Sequence, residues 1–306
     1  MTCFDDAFYS KWNVYKRDFT LKCFVLLSQL RFCHEEENSI EQINAELSFL
    51  EYLKSRNYPC ASPVLSIHDK YVEQVGDQEE NYFAVVFQSA EGITLDEGLT
   101  EEQGEQWGRS LALLHQLSKE YKPSGTPRVS WRDILFKMEY TLKKYPNETE
   151  ATQLLSKLTK ELQSLSFSTH NYGLIHYDFQ LDNVFYERNT NSFNVIDFDD
   201  AFYSWYVQDI VTALDDFLEN DTSMILNHPQ VIAFLKGYRS IVPLSEDDLS
   251  HLPYFRMFMK LYQFTRLLRS LENADIPDAP DWLVNLKVRL GCMRDEIRTK
   301  ELDFKR

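Results

Sequence analysis

At 306 residues the chain is long enough for two lobes and a substantial core, and with 43% hydrophobic and 14% aromatic residues it is a folded globular protein rather than a disordered one. A formal net charge of −16 disfavours nucleic acid as a partner, since nothing would neutralise phosphates. No apolar run approaches membrane-spanning length, the N-terminus lacks a basic region followed by an apolar stretch, and Cys3, Cys23, Cys33, Cys60 and Cys292 form no C-x-x-C pair, so a cytoplasmic chain with reduced thiols is expected, with no membrane association.

In chain order, residues 12–24 read as a hairpin flanking Lys16-Arg17-Asp18. Residues 38–56 read as a helix: Asn38 or Ser39 caps it, Ile43, Leu47, Leu50 and Leu53 recur at helical spacing, and Tyr58-Pro59 ends it. Strand pieces follow at 63–65 and 71–72, and residues 82–87 form a buried strand. Gln88, Ser89, Ala90, Glu91 and Gly92 make a short polar connection, placed as the hinge between a nucleotide-binding domain, 1–90, and a catalytic and substrate-binding domain, 91–306. Beyond it the pattern turns helical, at 100–118, 135–145 and 151–165, and again at 209–218, 230–241, 253–271 and 281–299.

Between those helical groups lies the segment that carries chemistry. His176, Asp178 and Asn183 spell H-x-D-x-x-x-x-N, and Asp197-Phe198-Asp199 begins fourteen residues after Asn183. The apolar runs 184–187 and 193–198 around the turn cluster 189–192 predict a β-hairpin. With the turn centred on Thr190, Asn183 and Asp197 are each seven residues away and are expected to face each other. An amide oxygen and a carboxylate there suit Mg2+, which prefers hard oxygen ligands. Asp178, on the loop entering the hairpin, is placed to act as base toward a substrate hydroxyl.

Other residues would complete a nucleotide site. Lys22, in the apolar run Leu21-Lys22-Cys23-Phe24, is expected to pair with Glu46 of the following helix and face the α- and β-phosphates of ATP. The backbone of Gln88 and Ala90 is expected to meet the adenine edge. His176 reads as a loop-holding imidazole, His115 as a core histidine, Asp209 as the cap of the helix it begins, and the aromatic cluster 202–206 as core and cleft wall. From His176 to Thr222 there are eleven Asp and Glu residues against one basic residue, Arg188, which suits either a cationic, amine-bearing substrate or an ordinary solvated surface.

Together, Leu21-Lys22, Ala45 through Leu53, Pro63-Val64, Leu111 through His115, Ile175 through Asn183 and Ile196 through Asp200 resemble the aminoglycoside phosphotransferase and choline kinase superfamily. The resemblance spans roughly residues 13–210. It implies an α+β, two-lobed protein-kinase-like fold with a small antiparallel-sheet N-lobe and a large, mainly helical C-lobe. It also implies ATP and Mg2+ as cofactors, Asp178 as catalytic base, Asn183 and Asp197 as metal ligands, Lys22 as phosphate ligand and Glu46 as its partner. The chain departs from the family in one respect: its first glycine is Gly76, so no Gly-containing loop precedes Lys22, which leaves room for a sheet without its first strand and an abbreviated phosphate lid. The leading expectation is a small-molecule kinase acting on a hydroxyl of an amine-bearing acceptor. The alternatives are a Ser/Thr protein kinase of the same fold and a kinase-like binding protein without turnover.

Overall fold

The computed structural model describes residues 28–35, 37–76, 81–95, 98–217, 228–272 and 280–302. The expected hairpin at 12–24, Lys22, and with them the question of a first strand and a lid, lie outside the described residues. The chain divides into two compact units, one built from Val25–Trp131 and Ser166–Pro253, the other including Arg132–Leu165 and Tyr254–Arg306. The boundary expected at residue 90 runs inside the first of these.

That first unit opens with β1 (Ser28–His34), α1 (Ile40–Ser55), β2 (Pro63–Val64), β3 (Glu73–Gly76) and β4 (Asn81–Gln88). β4 pairs antiparallel with β1, β2 and β3. Pro63, which has no N–H to give, stands in the two-residue strand β2 opposite Phe87. Helix α1 is capped by Ser39, whose hydroxyl accepts from Gln42 N–H at 3.3 Å, and it buries Ile43, Glu46, Leu47, Phe49, Leu50 and Leu53. It ends as a Schellman motif: Asn57 takes a positive φ of 59°, its N–H donates to Lys54 O and Tyr58 N–H donates to Leu53 O, both at 3.0 Å. Asn tolerates that left-handed backbone better than most residues, so the stop belongs to Asn57 as well as to the following Tyr-Pro.

Helix α2 (Glu101–Glu120) starts in a capping box of Thr100 and Gln103. It packs on α6 (Pro229–Arg239) at backbone distance. A β-carbon at Gly108 would lie 1.9 Å from the Phe234 carbonyl oxygen, and one at Gly237 would lie 1.8 Å from that of Glu105. Only glycine permits the two helices to approach so closely.

Two short antiparallel pairs complete the frame of the site. β5 (Tyr172–Ile175) pairs with β8 (Phe202–Trp205), and β6 (Val184–Glu187) pairs with β7 (Ser192–Val195). The aromatic run at 202–206 is thus a strand followed by the first residue of a helix, with Phe202, Trp205 and Tyr206 buried. Helix α5 (Tyr206–Leu214) starts three residues before the expected Asp209 and is buried along its whole length. The short α7 (Glu246–Ser250) follows α6.

The second unit is helical in its described part. α3 (Trp131–Lys143) and α4 (Thr149–Ser164) precede the site segment, and α8 (Leu252–Glu272) and α9 (Asp281–Glu296) follow it. α3 begins four residues ahead of the predicted start, with Trp131 fully buried. Leu267, Leu286 and Leu290 form one apolar cluster in it, and Arg298 holds Glu148 through two nitrogens. Among the described residues no helix is long and apolar enough to cross a membrane.

Candidate active site

Glu46 faces inward from α1 and is 1% exposed. A lone buried carboxylate would be costly, and its partner is Arg31 of β1. The pair is bidentate, Nη1 to Oε1 at 2.9 Å and Nη2 to Oε2 at 2.6 Å. The guanidinium also lies over the Phe87 ring of β4, 5.0 Å from its centre, and Nη1 is 3.9 Å from Asp197 Oδ1. Burial works against the Arg31 charge, but Glu46 and Asp199 more than offset it, so the pKa is held above its ordinary range. Glu46 was expected to meet Lys22. Lys22 lies outside the described residues; among these, Arg31 donates to both Glu46 oxygens.

The loop after β5 holds Asp178 in place by an unusual backbone. Tyr177 has φ of 71°, a left-handed conformation that costs a bulky side chain about 1–3 kcal/mol. The fully buried carboxylate of Asp209 offsets that cost by accepting the His176 N–H at 2.7 Å and the Tyr177 N–H at 2.5 Å. Asp209 is therefore a buried acceptor for the loop carrying Asp178 and not the helix cap expected of it. It also takes a hydrogen bond from His115 Nε2 at 2.9 Å, while His115 Nδ1 accepts from the Tyr238 hydroxyl at 2.7 Å. Burial keeps both His115 and His176 below their usual pKa, hence neutral. His176 donates from Nε2 to Ile196 O at 2.8 Å and accepts the Asp178 N–H on Nδ1 at 3.2 Å. Both histidines are structural, as expected.

Asn183 ends a single 3-10 turn, Leu181–Asn183, that leads into β6. Its amide nitrogen donates to Asp178 Oδ2 at 2.8 Å and to Asp178 O at 3.0 Å. The side-chain oxygen is then the atom it has to offer a cation. Burial, followed by the charges of Asp200, Asp182 and Asp199, pushes the Asp178 carboxyl up to about 7.

The hairpin forms, but its register is one residue from the expected one. Val184 pairs with Val195, and Ile196 N–H donates to Asn183 O at 3.0 Å, so Ile196 and not Asp197 stands opposite Asn183. Asp197 has φ of 63°. A left-handed residue just past the strand redirects the chain where the alternation would have continued. Asp199 crowds Asp197 and, together with burial, pushes its carboxyl well above the usual range. Phe198 is buried between them, its ring 4.5 Å from that of His176 and 6.1 Å from that of Phe49 on α1.

Two carboxyls that crowd each other, at the end of the hairpin that Asn183 leads into, are hard-oxygen donors whose repulsion a divalent cation such as Mg2+ would relieve. Among the described residues no group of three or more His, Cys, Asp or Glu side chains stands where it could hold a metal ion.

The connection after β4 is tied down at both ends. Gln88 N–H donates to Ser62 O at 2.8 Å. Ile93 bridges to Tyr186 of β6 by two main-chain bonds, Ile93 N–H to Tyr186 O at 3.1 Å and Tyr186 N–H to Ile93 O at 2.9 Å. Gly92, with φ of 119°, makes that approach: a β-carbon there would lie 2.8 Å from Tyr186 O.

A model of the phosphotransferase enzyme family matches residues 22–244. The amicoumacin kinase of Bacillus subtilis (strain 168) is 29% identical over 220 residues, 68% of this chain and 64% of that protein, so the match spans slightly less than two thirds of the relative's own length. An amicoumacin kinase in complex with AMP-PNP, Ca2+ and Ami superimposes with a TM-score of 0.72 at 24% identity, covering 89% of this chain and 82% of that one. A microcompartment-associated aminopropanol kinase gives 0.62 at 24% identity, over 90% and 87% of the two chains. The structural likenesses carry the fold, which is α+β and protein-kinase-like with two lobes, as the motifs implied. Motif, fold and family match converge: the chain belongs to the phosphotransferase enzyme family.

Proposed function

We propose that the chain moves the γ-phosphoryl of ATP to a hydroxyl of a small, amine-bearing molecule, with Mg2+ as cofactor. The observation that carries this reading is the Arg31–Glu46 pair, whose guanidinium stands 3.9 Å from Asp197. A phosphate-binding cation and a metal-binding carboxylate are thereby neighbours, as phosphoryl transfer requires.

In this reading Arg31, oriented by Glu46, faces the α- and β-phosphates, the role expected of Lys22. The carbonyl of Gln88 and the N–H of Ala90 meet the adenine edge. Asn183 and Asp197 hold the cation, with Asp199 beside them. When bound, Mg2+ would spread the charge of the phosphate oxygens. Asp178, kept in place by Asn183 and the His176 loop, orients the acceptor hydroxyl and takes its proton. A carboxyl with a pKa near 7 is matched to that task at neutral pH. The surplus of acids between residues 176 and 222 favours a cationic acceptor, and the amicoumacin and aminopropanol kinases supply candidates of that kind.

The test is ADP release from Mg-ATP over a panel of amicoumacin, aminopropanol, aminoglycosides, choline and homoserine, repeated with Asp178→Asn on any acceptor found. Loss of about 10²–10⁴ in rate is expected. A variant as fast as the wild type would show that the base lies elsewhere.

A further inference from the structure

Arg128 lies between α2 and α3, has no part in the chemistry described above, and is 7% exposed. Burying a guanidinium costs several kcal/mol unless its donors are matched. Here they are matched by main-chain oxygens. Nε donates to Ala201 O at 2.7 Å, Nη1 to Gln42 O at 2.9 Å, and Nη2 to Asp199 O. Two of those carbonyls belong to the loop that begins with Asp197. The third belongs to α1, one turn before Glu46.

The Gln42 side chain answers in kind. Its Nε2 donates to Pro127 O at 3.0 Å, and its Oε1 accepts the Val129 N–H at 3.1 Å. The segment carrying Arg128 is anchored in turn, because Val129 O accepts the Tyr203 N–H of β8 at 2.9 Å. The carboxylates of Glu46, Asp199 and Asp200 help keep the charge on the guanidinium, against burial, which lowers its pKa.

From these contacts we infer that Arg128 is a positioning residue that sets the spacing between the helix carrying Glu46 and the loop carrying Asp197 and Asp199. It thereby aligns the phosphate-facing guanidinium of Arg31 with the metal-facing carboxylates. The inference rests on the functional reading above for its catalytic consequence, but the mechanical link stands on the hydrogen bonds alone. Lysine keeps the charge but presents one compact ammonium, which cannot serve three diverging carbonyls.

The experiment is Arg128→Lys in the full chain, read two ways. Amide hydrogen exchange is expected to accelerate together at residues 40–46 and 197–203, since both segments lose the same tether. Steady-state kinetics are expected to show KM for ATP and the half-activating Mg2+ concentration each raised about 5–10-fold, because a misplacement of under an ångström already costs this much. Exchange confined to residues 127–129, or a variant with lower thermal stability but both constants unchanged, overturns the inference. If Arg128→Lys does not fold, Gln42→Ala removes the reciprocal half of the link, with the same pair of effects expected at about 2–3-fold and their absence equally fatal. A wild-type chain that neither binds nor turns over Mg-ATP sinks the functional reading instead, and the exchange result then decides the inference by itself.

Discussion

After β5 the chain carrying Asp178 turns two amide N–H groups inward, onto the carboxylate of Asp209. After β7 the chain carrying Asp197 turns two carbonyls inward, onto the guanidinium of Arg128. A buried anion holds one loop and a buried cation holds the other. The two differ in what stands behind them. Asp209 continues through His115 to Tyr238, so the first loop is fixed to helices α2 and α6. The second loop begins with Asp197 and carries Asp199, which crowd each other's charge, and the Asp197 side chain is 41% exposed. The loop carrying Asp178 is preorganised, while the loop carrying Asp197 and Asp199 keeps an electrostatic conflict between their carboxyls.

The strongest way to break this contrast is Asp209→Ala. It strands two loop N–H groups and His115 at once and removes what offsets the Tyr177 backbone. A loss of about 3–5 kcal/mol in urea unfolding is expected. A loss below about 1 kcal/mol would mean that the N–H groups find other acceptors.

Gly108→Ala strains the same loop from behind. The added carbon meets the Phe234 carbonyl, a main-chain atom that cannot rotate away, and forces α2 from α6. His115 rides on α2 and Tyr238 on α6, so their bond lengthens. Thermal unfolding should report a cost of about 1–3 kcal/mol, and an unchanged midpoint would show that the helices have slack between them.

Asp178→Asn, studied for stability instead of rate, sharpens the comparison with the smallest effect and the opposite sign. The folded carboxyl titrates at about 7, whereas an unfolded aspartate titrates near 3.9. Between those values the folded chain holds the extra proton, so this group's contribution to stability falls as pH rises from about 4 to about 7 and stays low above that. The variant should melt higher than the wild type by about 4 °C at pH 8, and by less at pH 5. A gap that does not change with pH would mean that burial does not set the Asp178 proton.

What could be read along the chain follows how local each signal was. Asp178, Asn183 and Asp197 are spaced by a loop and a hairpin, and the apolar runs around 189–192 reported both. The register was missed by one because no side-chain pattern encodes the positive φ of Asp197. Arg31 lies in a mixed run, Ser28 to His34, and what brings it to Glu46 is the pairing of β1 with a strand more than fifty positions later, which no local pattern announces. Asp209 resembles a helix cap because aspartate favours that position, yet its partners are His176, Tyr177 and His115, all distant in sequence. Arg128 follows a stretch of proline, serine, glycine and threonine whose composition announces only a loop. Its importance arises from three carbonyls that folding brings together.

The Arg31 guanidinium has one more consequence. It stays protonated at any pH the protein survives, so if it faces the phosphates as proposed, raising the alkalinity of an assay will not discharge it as it would an ammonium. It is also a poor nucleophile. Amine-acylating nucleotide probes, which tag many kinases at a strand lysine, will find no primary amine at position 31, and labelling there would have to rely on photochemistry or on guanidine-selective reagents.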